Sequence, residues 1–144
     1  MNKKMILGAL LLTSVGLCAV SACTDDDTKP AKPVVAITGI GSHDGPEGTV
    51  KAGDELHLEA DIVAEGLIAR IDVEIHQEDG GSFEIEKPYT EGAYIGVKNA
   101  TFHEHIDIPS EAPAGEYHLH LTVQDREGQT TTAEAELEIE AASE

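Results

Sequence analysis

The 144-residue chain has no tryptophan, two cysteines and five aromatic residues in all, namely Phe83, Tyr89, Tyr94, Phe102 and Tyr117. Each scarcity excludes something. Both cysteines, Cys18 and Cys23, lie near the N-terminus, so no disulfide can staple the rest of the chain. That part must be held by its hydrophobic core, a bound ion, or both. So few aromatic rings argue against a carbohydrate-binding surface, which needs stacking platforms. Basic residues are also scarce, nine against 28 acidic ones, a formal charge of −19. Such a surface repels phosphate backbones and anionic lipid head groups, which excludes nucleic acid as a partner. Catalytic signatures are missing as well. Ser42, Ser82 and Ser110 have no recognisable base, no nucleophile elbow is present, and an enzyme is not expected. Asp44, Asp54, Asp79 and Asp125 fall near turns without EF-hand spacing, so they read as turn residues.

The N-terminus is informative. Lys3 and Lys4 precede an apolar stretch from Met5 to Leu12 and a run of small and apolar residues to Ala22. This is too short for a permanent membrane helix and reads as an export signal over residues 1–22. Val20-Ser21-Ala22-Cys23 resembles the bacterial lipobox, in which small residues precede the cysteine that becomes lipid-anchored. Cys18 competes poorly because Leu17 stands where a small residue is needed. Cys23 is therefore the expected lipidation site, and cleavage after Ala22 without lipidation is the alternative. Thr24-Asp25-Asp26-Asp27 resembles the export signal that sends Bacteroidetes lipoproteins to the outer face of the outer membrane. A solvated tether facing the periplasm is the other reading of the same charge run. With Lys3 and Lys4 removed, seven basic residues remain against 28 acidic ones, a charge of about −21. Residues 23–33 form the tether and residues 34–144 a single domain.

That domain alternates with period two. Val34, Val35, Ile37 and Ile40 open it. Leu56, Leu58, Ala60 and Ile62 alternate with His57, Glu59 and Asp61, and Ile71, Val73 and Ile75 with Asp72, Glu74 and His76. Later runs place Phe102 and Ile106, then Tyr117, Leu119, Leu121 and Val123, then Leu137 and Ile139 on one side. One apolar and one polar face is the pattern of antiparallel sheets with a single buried side. Turn segments at 51–54, 79–81, 112–115 and 125–128 separate the runs. The pattern predicts an all-β, immunoglobulin-like sandwich of about seven strands. Five strands are expected at 54–62, 68–76, 101–108, 116–124 and 131–140, while 86–100 gives no clear pattern. Tyr117 is expected to be the corner tyrosine of such a sandwich. Glu104 is out of phase, pointing toward the apolar side of its strand or an edge.

Seven histidines stand out: His43, His57, His76, His103, His105, His118 and His120. Four of them form two His-x-His pairs, where random scatter would give about 0.3. On a strand, residues i and i+2 share a face about 7 Å apart, so two imidazoles can converge on an ion if a neighbouring strand supplies a third. All seven fall on polar faces or in loops. Pairing of the predicted strands brings His76 toward His118 and His120 in one sheet, and His57 toward His103 and His105 in the other, with His43 close to the second group. Neutral imidazole suits Zn or Cu. The alternatives are a patch that responds to pH through protonation, and solvent-exposed histidines with no specific role.

The run His103-Glu104-His105-Ile106-Asp107-Ile108-Pro109, followed by Ala112-Pro113-Ala114-Gly115-Glu116-Tyr117-His118-Leu119-His120, resembles the domain-of-unknown-function 4625 family of small, histidine-rich Bacteroidetes lipoproteins. The resemblance spans about residues 34–140. It implies an envelope location and an immunoglobulin-like fold, and it supplies no catalytic residues. The sequence thus leads to two expectations. The first is an outer-membrane lipoprotein, anchored by Cys23 and displayed at the cell surface, that binds Zn or Cu through its histidines. The second is an interaction or spacer module that meets an envelope protein partner and has no metal role.

Overall fold

The structure, a computed structural model, describes residues 28–143. The expected export signal and Cys23 lie outside the described residues. Eight strands follow one another: β1 (Val34–Gly41), β2 (Thr49–Lys51), β3 (Glu55–Val63), β4 (Ile68–Gln77), β5 (Glu84–Tyr89), β6 (Asn99–Asp107), β7 (Gly115–Asp125) and β8 (Thr130–Glu140). They form a three-stranded sheet, β1-β3-β6, and a five-stranded sheet, β2-β8-β7-β4-β5. The result is an immunoglobulin-like β-sandwich. No helix among the described residues is long and apolar enough to cross a membrane.

The alternating runs are what build it. Leu56, Leu58, Ala60 and Ile62 of β3, Ile71, Val73 and Ile75 of β4, and Leu119, Leu121 and Val123 of β7 are all buried, and their intervening polar neighbours face outward. Burying one such aliphatic side chain contributes about 1.5–3 kcal/mol, so a one-residue slip of any of these strands would expose a whole row. Tyr117 is buried, and its hydroxyl donates to the Pro113 carbonyl at 2.7 Å, closing the corner before β7.

Two features depart from the sequence reading. β2 was not expected, because three residues carry no periodicity. It pairs parallel with the end of β8 and buries Val50. The patternless stretch 86–100 begins as the edge strand β5, which pairs only with β4 and therefore tolerates Pro88.

Pairing also fixes which ends meet. Gln129, in the β7–β8 turn, donates its side-chain amide to the Pro30 carbonyl at 2.8 Å and to Asp125 Oδ2 at 2.9 Å. The chain therefore enters the sandwich beside that turn. At the other end, Gly41 at the close of β1 pairs with His57 near the start of β3. Gly48 accepts a hydrogen bond from Glu138 near the end of β8.

Candidate metal centre

On the outer face of the three-stranded sheet, cross-strand register sets His57 opposite His105 and Glu59 opposite His103. His57 is the centre of the group. Its ring lies 4.7 Å from that of His103 and 5.4 Å from that of His105, centroid to centroid. Each of His57, His103 and His105 offers a ligand atom within 4.8 Å of the other two. A fourth imidazole comes from the β1–β2 loop, where His43 stacks 4.9 Å from His57 and stands 5.1 Å from His105.

The backbone makes room for these rings. β1 presents Gly39 and Gly41 opposite Glu59 and His57. A Cβ on Gly39 would come within 3.4 Å of Glu59 Oε2 and 3.9 Å of His57 Cε1. Gly41 has φ +137°, and a Cβ there would meet the Pro46 carbonyl at 3.0 Å. Gly41 thus lets the loop fold back and bring His43 over the sheet. A cleft of about 720 Å³ adjoins His43, with Asp44, Asp54, Glu55 and Glu140 among its walls.

The surrounding carboxylates orient the imidazoles. Glu59 Oε1 lies 2.9 Å from His103 Nδ1, and Glu55 Oε2 lies 3.5 Å from His105 Nδ1. A carboxylate beside a ring nitrogen is an arrangement common around metal-binding histidines. His57 Nε2 is enclosed and has no hydrogen-bond partner. Burial pushes the His57 imidazole below its ordinary pKa, and the neighbouring His103 adds to this. Glu59 pulls the other way, and His43 and His105 lower it further. The group thus favours neutral His57, the form that binds a metal.

The out-of-phase Glu104 finds its reason here. Its Oε1 lies 2.9 Å from the hydroxyl of Tyr94, from the β5–β6 loop. The same hydroxyl lies 2.9 Å from the His103 carbonyl and accepts the His103 N–H at 3.2 Å. Tyr94 therefore caps the free edge of β6 at the residue that carries one of the imidazoles. Burial pushes the Tyr94 hydroxyl pKa up, and Glu104 contributes to the rise.

The remaining histidines lie on the five-stranded sheet. His76 of β4 pairs with His118 of β7, and His120 pairs with Glu74. Their rings are more widely spaced, 5.0 to 6.5 Å between centroids. Sequence spacing pointed to all seven histidines. It did not point to Tyr94, the Gly39 and Gly41 floor or the carboxylate partners.

Residues 21–140 match the protein family described as Domain of unknown function (DUF4625). No curated protein matches the sequence. Among solved structures, the chain is similar to a DUF4466 family protein from Parabacteroides merdae, with a TM-score of 0.50 and 12% identity over 74% of this chain and 45% of that one. It is similar to a superoxide reductase (neelaredoxin) from Ignicoccus hospitalis, with a TM-score of 0.46 and 12% identity over 77% and 82% of the two chains. The soluble domain of PmoD from Methylocystis gives 0.44 and 16% over 74% and 90%. At these identities the likeness concerns the fold alone.

Proposed function

This chain belongs to the DUF4625 family, and we propose that it is a cell-envelope lipoprotein that binds a transition metal ion, Zn or Cu, on the outer face of its three-stranded sheet. One observation carries this reading: three strand-borne imidazoles, His57, His103 and His105, whose ligand atoms lie within 4.8 Å of one another. A tetrahedral zinc or a tetragonal copper site needs three or four nitrogen donors at about 2 Å from the ion, so donors must sit some 3–3.5 Å apart. In this reading the three donors close from 4.8 Å to that range on binding, and His43, whose ring lies 4.9 Å from that of His57, supplies a fourth. The domain has no cysteine thiolate among the described residues, which favours the divalent ions over Cu(I). The acidic surface raises the local concentration of cations. The site lies open on a sheet face, which fits capture or delivery of an ion better than catalysis on a bound substrate.

Calorimetric titration of the chain with Zn or Cu(II) tests this. Micromolar or tighter binding, lost in a His57→Ala, His103→Ala, His105→Ala variant, is expected. Binding weaker than millimolar, or unchanged in that variant, refutes it. Envelope anchoring rests on Val20-Ser21-Ala22-Cys23 and the acidic run behind it. Cys23→Ser should move the protein from the membrane fraction to the soluble one, and protease treatment of intact cells separates surface display from a periplasm-facing position.

A further inference from the structure

The five-stranded sheet carries a second array on its outer face. Register across β5, β4, β7 and β8 aligns Glu84, His76, His118 and Glu136 in one row. The next row holds Glu86, Glu74, His120 and Glu134. Two adjacent rows therefore contain three imidazoles, five carboxylates and no lysine or arginine. The His76 and His120 rings stack at 5.0 Å with 14° between their planes, and His118 lies 5.7 Å from His76.

Each ring has a carboxylate beside one nitrogen. Glu74 Oε1 lies 3.2 Å from His76 Nδ1, Glu134 Oε1 lies 3.4 Å from His120 Nδ1, and Glu78 Oε1 lies 3.9 Å from His118 Nε2. This repeats the pairing pattern around His103 and His105 on the other face. His76 Nδ1 is enclosed without a hydrogen-bond partner, as His57 Nε2 is on the other face, so each trio holds one imidazole with an unmet ring nitrogen.

We propose that His76, His118 and His120 form a second metal site, for a divalent transition ion, that fills independently of the first and after it. Independence follows from placement. The two groups point outward from opposite sheets, whose backbones stack about 10 Å apart, so one ion cannot serve both. Filling order follows from spacing and donor number. The first face offers four imidazoles and a trio already within 4.8 Å. The second offers three, with the ring centroids of His118 and His120 6.5 Å apart against 5.5 Å for His103 and His105, and must draw His118 inward. Carboxylates in the same rows can complete the coordination.

The test is a Zn titration of the full chain in detergent, read by calorimetry. The expected stoichiometry is two ions per chain, with the weaker one lost in His76→Ala plus His120→Ala. The stronger one should be lost in His57→Ala, His103→Ala plus His105→Ala. A single ion that survives His76→Ala plus His120→Ala overturns the second site and leaves the first standing. A single ion lost only in His76→Ala plus His120→Ala overturns the first site and the filling order. Histidine ring NMR signals of the unmutated chain give a variant-free readout. Shifts at His76, His118 and His120 after those of His57, His103 and His105 support the proposal, and no shift at the former group up to millimolar Zn refutes it.

Discussion

Tyr94→Phe isolates one hydroxyl. The ring stays, with its neighbours Phe102 at 5.0 Å and Tyr89 at 6.4 Å, so packing is preserved. What disappears is an oxygen placed 2.9 Å from both Glu104 Oε1 and the His103 carbonyl, and 3.2 Å from the His103 nitrogen. A hydrogen bond to a charged group contributes about 1.5–3 kcal/mol, and a neutral one about 0.5–1.5 kcal/mol. Tyr94 has a single proton to share between its two acceptors, and the region is only partly buried, so water recovers part of the loss. The expected destabilisation is about 2 kcal/mol, or a Tm lower by roughly 8 °C for a domain near 100 residues. Urea unfolding measures it directly. A cycle with Glu104→Gln should return a coupling of about 1 kcal/mol. Because His103 loses its edge cap, zinc affinity should also fall about tenfold, as for other groups that orient a ligand. A stability loss under about 0.5 kcal/mol together with no coupling to Glu104 would show that the hydroxyl is solvated and that β6 needs no cap.

Metal itself should stabilise the fold, since a ligand at 100 times its Kd adds about 2.7 kcal/mol and raises Tm by roughly 10 °C. A chelator should reverse the shift in a thermal melt. Without metal, the low pKa of His57 makes the unfolded chain the better proton acceptor below the ordinary histidine value of 6.5. Stability should therefore fall as pH drops from 6.5 toward the folded-state value. His57→Gln should flatten that part of a urea-midpoint profile. Burial alone would raise the Asp125 pKa, but hydrogen bonds from Gln129 and the Glu127 backbone, with Lys29 nearby, hold it below its usual range. Asp125→Ala loses two bonds from Gln129 at 2.8 and 2.9 Å, an expected cost of about 2 kcal/mol by chemical denaturation.

Much of the fold could be read because its strands obey one rule without interruption. From Leu56 to Ile62, and from Tyr117 to Val123, every second residue is apolar and buried. The same parity places His57, His103, His105, His118 and His120 outward, so their grouping needs only the pairing order of the strands. The parts that could not be read lack that periodicity. β2 is recognisable only through its parallel pairing with β8, a contact made some 90 residues away in sequence. Tyr94 sits in a stretch rich in glycine and small residues, and its role depends on a three-dimensional approach to Glu104. Glu104 looked misplaced for the same reason, since parity describes which face a residue takes and not which loop covers it.

The hydrogen bond from Gln129 to Pro30 has a consequence for reach. It pins the entering chain at the end where β1 begins, whereas His43 follows the end of β1 and His57 pairs beside it. β1 spans eight residues, about 25 Å along the strand. Both imidazole groups therefore sit toward the far tip of a short, stiff arm whose base is latched rather than hinged. Measured from Pro30, the donors are held out by the length of that arm.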